Sequence, residues 1–89
     1  MELRLTVETW RKGNWYVARC PELDFVSQGP SVAEAKRNLL EVVQIQFEEM
    51  TALGTLEDYL FECGYKRENG FLIPQSDLIG FEKSIVRVA

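Results

Sequence analysis

Histidine is missing from this chain of 89 residues. With it go the commonest general base, the commonest metal ligand and every Ser-His or Cys-His nucleophile pair. Cations are also scarce: 10 Lys and Arg stand against 14 Asp and Glu, a formal charge of -4. Without excess cations to displace counterions, direct binding to a nucleic-acid backbone is not expected, and a basic protein suits the chain better. Cysteine occurs only as Cys20 and Cys63, without CxxC spacing and with no secretory segment before them. They read as two small apolar residues in a reducing, cytoplasmic setting. No run of about twenty apolar residues is present, so no membrane span is expected. Internal repeats, low-complexity tracts and linkers are missing too.

The length fits one domain, 1–89, with a single core that buries about 60% of the unfolded surface. A single helix-on-sheet layer of this size leaves little margin of stability. Burial between subunits would add to it, so a homo-oligomer, dimer or tetramer, is expected.

Leu3, Leu5 and Val7 alternate with Arg4, Thr6 and Glu8, the period-two pattern of a strand with one buried face. Lys12-Gly13-Asn14 supplies turn chemistry before Trp15 resumes the pattern, which predicts an antiparallel hairpin. A two-residue loop at Lys12-Gly13 or Gly13-Asn14 puts Arg4, Thr6, Glu8, Trp10, Trp15, Val17 and Arg19 on one face. Leu3, Leu5, Val7, Tyr16, Ala18 and Cys20 take the other, as core. Two indoles and a valine among charges make the first set a candidate contact surface. The competing reading is that the two tryptophans simply cover each other across the hairpin.

Pro21-Glu22-Leu23-Asp24 is a turn, Phe25 begins a short strand that ends at Gly29, and Ser31-x-x-Glu34 is a capping box that opens a helix. From Ser31 to Leu53, residues Val32, Ala35, Leu39, Val42, Val43, Phe47, Met50 and Leu53 fall on one helical stripe. Glu34, Arg37, Glu41, Gln44 and Glu48 lie opposite. Gln46 points into the stripe and so needs a buried partner, whereas Ile45 sits on the polar side and is a second candidate contact. Gly54 ends this helix, and Thr55-x-x-Asp58 is expected to cap a shorter one carrying Leu56, Tyr59, Leu60 and Cys63 inward, which Gly64 ends. Asn69-Gly70 between Tyr65-Lys66-Arg67-Glu68 and Phe71-Leu72-Ile73 suits a tight hairpin. The β-branched run Phe81 to Val88 reads as the last main strand.

The stretch from Tyr16 to Asn38 also resembles the HicB-like antitoxin family. The resemblance rests on Tyr16, Val17, Ala18, Pro21, Glu22 and Leu23, then Ser27, Gln28 and Gly29, then Ser31, Glu34, Ala35 and Asn38. It implies an α+β, partial ribonuclease-H-like fold: a three-stranded antiparallel meander, a long helix, a short second helix and a final strand parallel to strand one. In function it implies a non-catalytic, antitoxin-type module that neutralises a small mRNA-cleaving toxin. Many relatives carry a DNA-binding module after this domain; the last predicted strand here runs almost to Ala89, so no such C-terminal domain is expected.

A ribonuclease-H-like nuclease would need carboxylates converging on divalent metal. The candidates Glu2, Glu8, Glu34, Glu41 and Glu82 are spread over different layers. No catalytic residue, metal ligand or cofactor is therefore assigned. The candidate contact residues are Glu8, Trp10, Trp15, Val17, Arg19 and Ile45, and the expected partner is a small basic toxin-like protein. Two other readings are a solitary oligomer-forming domain without a toxin and, less favoured, a metal-dependent hydrolase.

Overall fold

The computed structural model describes residues 2–89. It is an α+β fold with strands β1 (Glu2–Leu3), β2 (Glu8–Lys12), β3 (Trp15–Cys20) and β4 (Phe25–Gly29), helices α1 (Val32–Leu53) and α2 (Leu56–Glu62), and strands β5 (Tyr65–Glu68) and β6 (Phe71–Pro74). β2, β3 and β4 form an antiparallel meander, and a second, mixed sheet has the order β1-β6-β5 with β6 parallel to β1. The hairpin loop of the meander is Gly13-Asn14, since Lys12 opposes Trp15. Gly13 has φ +60°, which glycine adopts without the steric cost other residues meet there.

α1 lies on the inner face of the meander. Ala18 and Cys20 from β3 meet Ala35, Leu39 and Val43 from α1 in one buried cluster, joined by Leu23, Leu60 and Tyr65. The approach is close enough that Gly29 has no room for a side chain. A Cβ there would stand 2.9 Å from the Ala35 amide nitrogen and 3.1 Å from the Glu34 carbonyl carbon. Ser31 accepts a hydrogen bond from the Glu34 amide at 3.1 Å, and the Asn38 side-chain amide donates to the Gln28 carbonyl at 2.9 Å. The return bond of a full capping box, from the Ser31 amide to the Glu34 carboxylate, is absent among the described residues. The ends of the predicted stripe stay in water: Val32 and Leu53 are 50% and 70% exposed. Gln46 is only half-buried, so its amide needs no protein partner.

Strand one is not continuous, contrary to its alternating sequence. Arg4 to Val7 falls outside any ladder, and its backbone groups are taken by partners from elsewhere in the chain, most of them side chains. The Glu22 carboxylate accepts from the Thr6 amide at 3.0 Å and from the Thr6 hydroxyl at 2.6 Å. The Tyr65 hydroxyl donates to the Arg4 carbonyl at 2.7 Å, and the Arg4 amide donates to the Leu72 carbonyl at 2.9 Å. Leu3, Leu5 and Val7 nonetheless pack on the core as the alternation predicts.

Two further expectations are corrected. Thr55 stands at the N-cap of α2, but its side chain does not cap it: its amide and hydroxyl both turn back to the Met50 carbonyl, closing α1 together with Gly54 at φ +72°. The strand beside strand one is β6 rather than Phe81 to Val88. The Asn69-Gly70 turn, with φ of +51° and +83°, folds β5 and β6 into a hairpin that brings Phe71 opposite Glu2 and Leu72 opposite Leu3. From Gln75 onward the chain has no regular secondary structure.

Burial raises the Glu22 pKa, but the bonds from Thr6 outweigh it and the net shift is downward. A lowered folded-state pKa stabilises the fold above the ordinary value of 4.5, and that contribution is lost as pH falls through the lower folded value. Glu22→Gln should therefore cost about 1–2 kcal/mol at neutral pH by urea unfolding. The gap to the parent should close as pH falls below 4.5 and through the lower folded value; a gap independent of pH would contradict the assignment. Gly29→Ala should cost about 1–3 kcal/mol through overpacking, seen as a lowered midpoint of thermal unfolding.

Candidate functional site

The pleat of β3 sends Tyr16, Ala18 and Cys20 toward α1 and leaves Trp15, Val17 and Arg19 on the outer face. Ladder partners extend this face: Glu8 opposes Arg19, Trp10 opposes Val17, and Val26 opposes Arg19 from the other side. Glu8, Trp10, Trp15, Val17 and Arg19 are thus together on one surface. Arg4 and Thr6 are not in that ladder, since their backbone belongs to the interrupted segment.

Trp10 is 59% exposed, Trp15 51% and Val26 55%. Trp15 opposes Lys12 and Trp10 opposes Val17, so the indoles are diagonal neighbours, and each keeps about half of its surface in water. Val26 is the member of this apolar surface that the sequence pattern did not single out. Its inclusion needs the β3–β4 register, which pairs it with Arg19.

Charge at one end of the face is locally balanced. Arg19 reaches Asp24 and Glu8, each at 3.3 Å, and these partners, Asp24 first, raise the guanidinium pKa further. Asp24 is set for this by φ +59° and by its amide, which donates to the Cys20 carbonyl at 2.8 Å.

Ile45 does not join this surface. It is 58% exposed on α1, whose opposite side packs on the sheet, so it belongs to the outer side of the helix layer. One turn either way stand Glu41, Glu48 and Glu49, all exposed. Between Arg37 and Lys66 the chain holds Glu41, Glu48, Glu49, Glu57, Asp58 and Glu62 and not one lysine or arginine.

The motif residues act within the fold. Glu22 staples the interrupted strand, Leu23 is buried while its carbonyl accepts from the Tyr59 hydroxyl at 2.8 Å, and Gly29 admits the helix. Burial and a neighbouring Cys63 push the Tyr59 phenol up to about 12. Burial likewise raises Cys20 to about 11, which keeps it a protonated thiol at neutral pH.

Glu8 is engaged with Arg19, Glu34 starts α1 and Glu82 lies in the exposed final segment. Among the described residues no group of three or more His, Cys, Asp and Glu is placed to hold a metal ion. No helix among the described residues is long and apolar enough to cross a membrane.

No family model, no curated protein and no solved structure matches this chain.

Proposed function

We propose that this chain is a non-catalytic protein-binding module of the HicB-like antitoxin type, which occludes a small basic, mRNA-cleaving toxin. The observation that carries the reading is the outer side of α1, where exposed Ile45 is flanked by Glu41, Glu48 and Glu49 with no cation of the same helix within one turn. An apolar contact ringed by like charges selects a basic surface, because complementary potential speeds encounter while the apolar centre supplies the desolvated contact. The motif shared with the HicB-like family supports the same reading through its fold. Its residues shape the junction of meander and helix and leave the outer side of α1 free.

A second reading, a solitary oligomer-forming domain, is favoured by one separate observation. Trp10, Trp15 and Val26 form an apolar outer sheet face that nothing among the described residues covers. The two readings use opposite sides of the layer and do not exclude each other.

Mixing the purified chain with the product of a small basic gene encoded beside it should give a stable complex at micromolar concentration. Ile45→Lys should weaken that complex at least about tenfold, ~1.4 kcal/mol, and leave the unfolding midpoint nearly unchanged. Added salt should slow association. No complex, or a complex indifferent to Ile45→Lys, counts against the reading. Trp10→Ala combined with Trp15→Ala should leave toxin affinity within about twofold of the parent.

A further inference from the structure

The segment Phe81 to Val88 is built like a strand and has no strand to lie against. Phe81, Ile85, Val86 and Val88 are 94%, 102%, 78% and 93% exposed. Such β-branched and aromatic residues gain stability on a pleated, half-buried surface and none in open water. The molecule is also extended. The radius of gyration is 15.4 Å, against about 12 Å for a compact chain of this length.

The meander, for its part, has an open edge. The two-residue loop makes Lys12 and Trp15 a hydrogen-bonded pair, and alternation then directs the amides and carbonyls of Thr9 and Arg11 away from β3. Thr9 to Lys12 are all exposed. The remaining edges are less available. On β4 the Gln28 carbonyl already accepts from Asn38, and α1 lies over the strand. β5 is guarded by the Lys66–Glu68 and Arg67–Glu57 ion pairs. β1 is only two residues long.

We propose that Phe81 to Val88 of one copy adds as a strand to the β2 edge of a second copy, and that the exchange is reciprocal. After β6 the Gln75 amide is tied to the Gly64 carbonyl at 2.9 Å, and Phe81 to Val88 pairs with no strand of its own chain among the described residues. Eight residues at about 3.3 Å each are long enough to cover a five-residue strand. The added strand borders Trp10 and so extends the apolar outer face across the junction. Reciprocity closes the assembly as a two-fold dimer, whereas one-way donation would propagate into a fibre. This inference does not rest on toxin binding.

The test uses the full chain and two proline variants. Val86→Pro removes an amide from the donated segment. Thr9→Pro removes an outward amide from the receiving edge without touching the β2–β3 ladder. Sedimentation should show the parent chain as a dimer, and each variant should raise the dissociation constant by about tenfold or more. At concentrations where both chains are monomeric, circular dichroism should be the same for the parent and Val86→Pro, whose site is unpaired in the single chain. Mixing the two variants should restore dimers through the one intact junction, Thr9→Pro donating its segment to the edge of Val86→Pro. Hydrogen exchange in the parent should protect the amides of Ile85, Val86 and Arg87 at dimer-forming concentration and release them on dilution. A parent chain that stays monomeric at micromolar concentration, or a dimer insensitive to Val86→Pro, overturns the proposal. Protection of those amides in a monomer would also overturn it, by placing the segment on its own chain.

Discussion

The close approach of α1 to β4 is the constraint on which the rest of the molecule depends. It exists because Gly29 carries no side chain where a Cβ would strike the backbone of Glu34 and Ala35. Once the helix is seated there, Ala35, Leu39 and Val43 meet Ala18 and Cys20, and the core has its centre. Asn38 holds the same junction by its hydrogen bond to the Gln28 carbonyl of β4, while Ser31 fixes where the helix begins. The sequence stretch that resembles an antitoxin family is therefore, in physical terms, the stretch that fixes how helix and meander meet.

Much of this architecture was legible because it is local. Gly13-Asn14 and Asn69-Gly70 specify tight turns from their own conformational preferences, and the alternation around Trp15 to Cys20 assigns each residue to a face. The helix from Ser31 to Gly54 announces both of its ends. What could not be read depended on distant partners. The break at Arg4 to Val7 is made by Glu22, sixteen residues from Thr6, and by Tyr65, sixty-one residues from Arg4. Thr55 has the composition of a cap, yet the end of α1 had already taken both its amide and its hydroxyl.

The contact face was legible to a similar degree. A period of two places Glu8, Trp10, Trp15, Val17 and Arg19 together once the turn is fixed, whereas Val26 enters through a second register that the sequence leaves open. Ile45 was visible as an exception to its helical face, but which side of the molecule that face occupies required the packing of α1. The run Phe81 to Val88 marks the other limit. β-propensity states what surface a segment fits and says nothing about whose surface it is.

That distinction bears on how the two proposed contacts can operate together. The outer sheet face and the β2 edge lie on one side of the core, and the Ile45 side of α1 lies on the other. Two ligands couple only through a difference in how each binds to the states that the other selects. Here the element between them is the buried junction of α1 with β3 and β4, held by a backbone approach that Gly29 leaves no slack to adjust. A rigid junction transmits little, so dimer formation through β2 should alter affinity for the proposed partner mainly by avidity, by presenting two α1 faces at once. Appreciable coupling would require the helix to shift on the sheet, and the tight contact at Gly29 is what resists that motion.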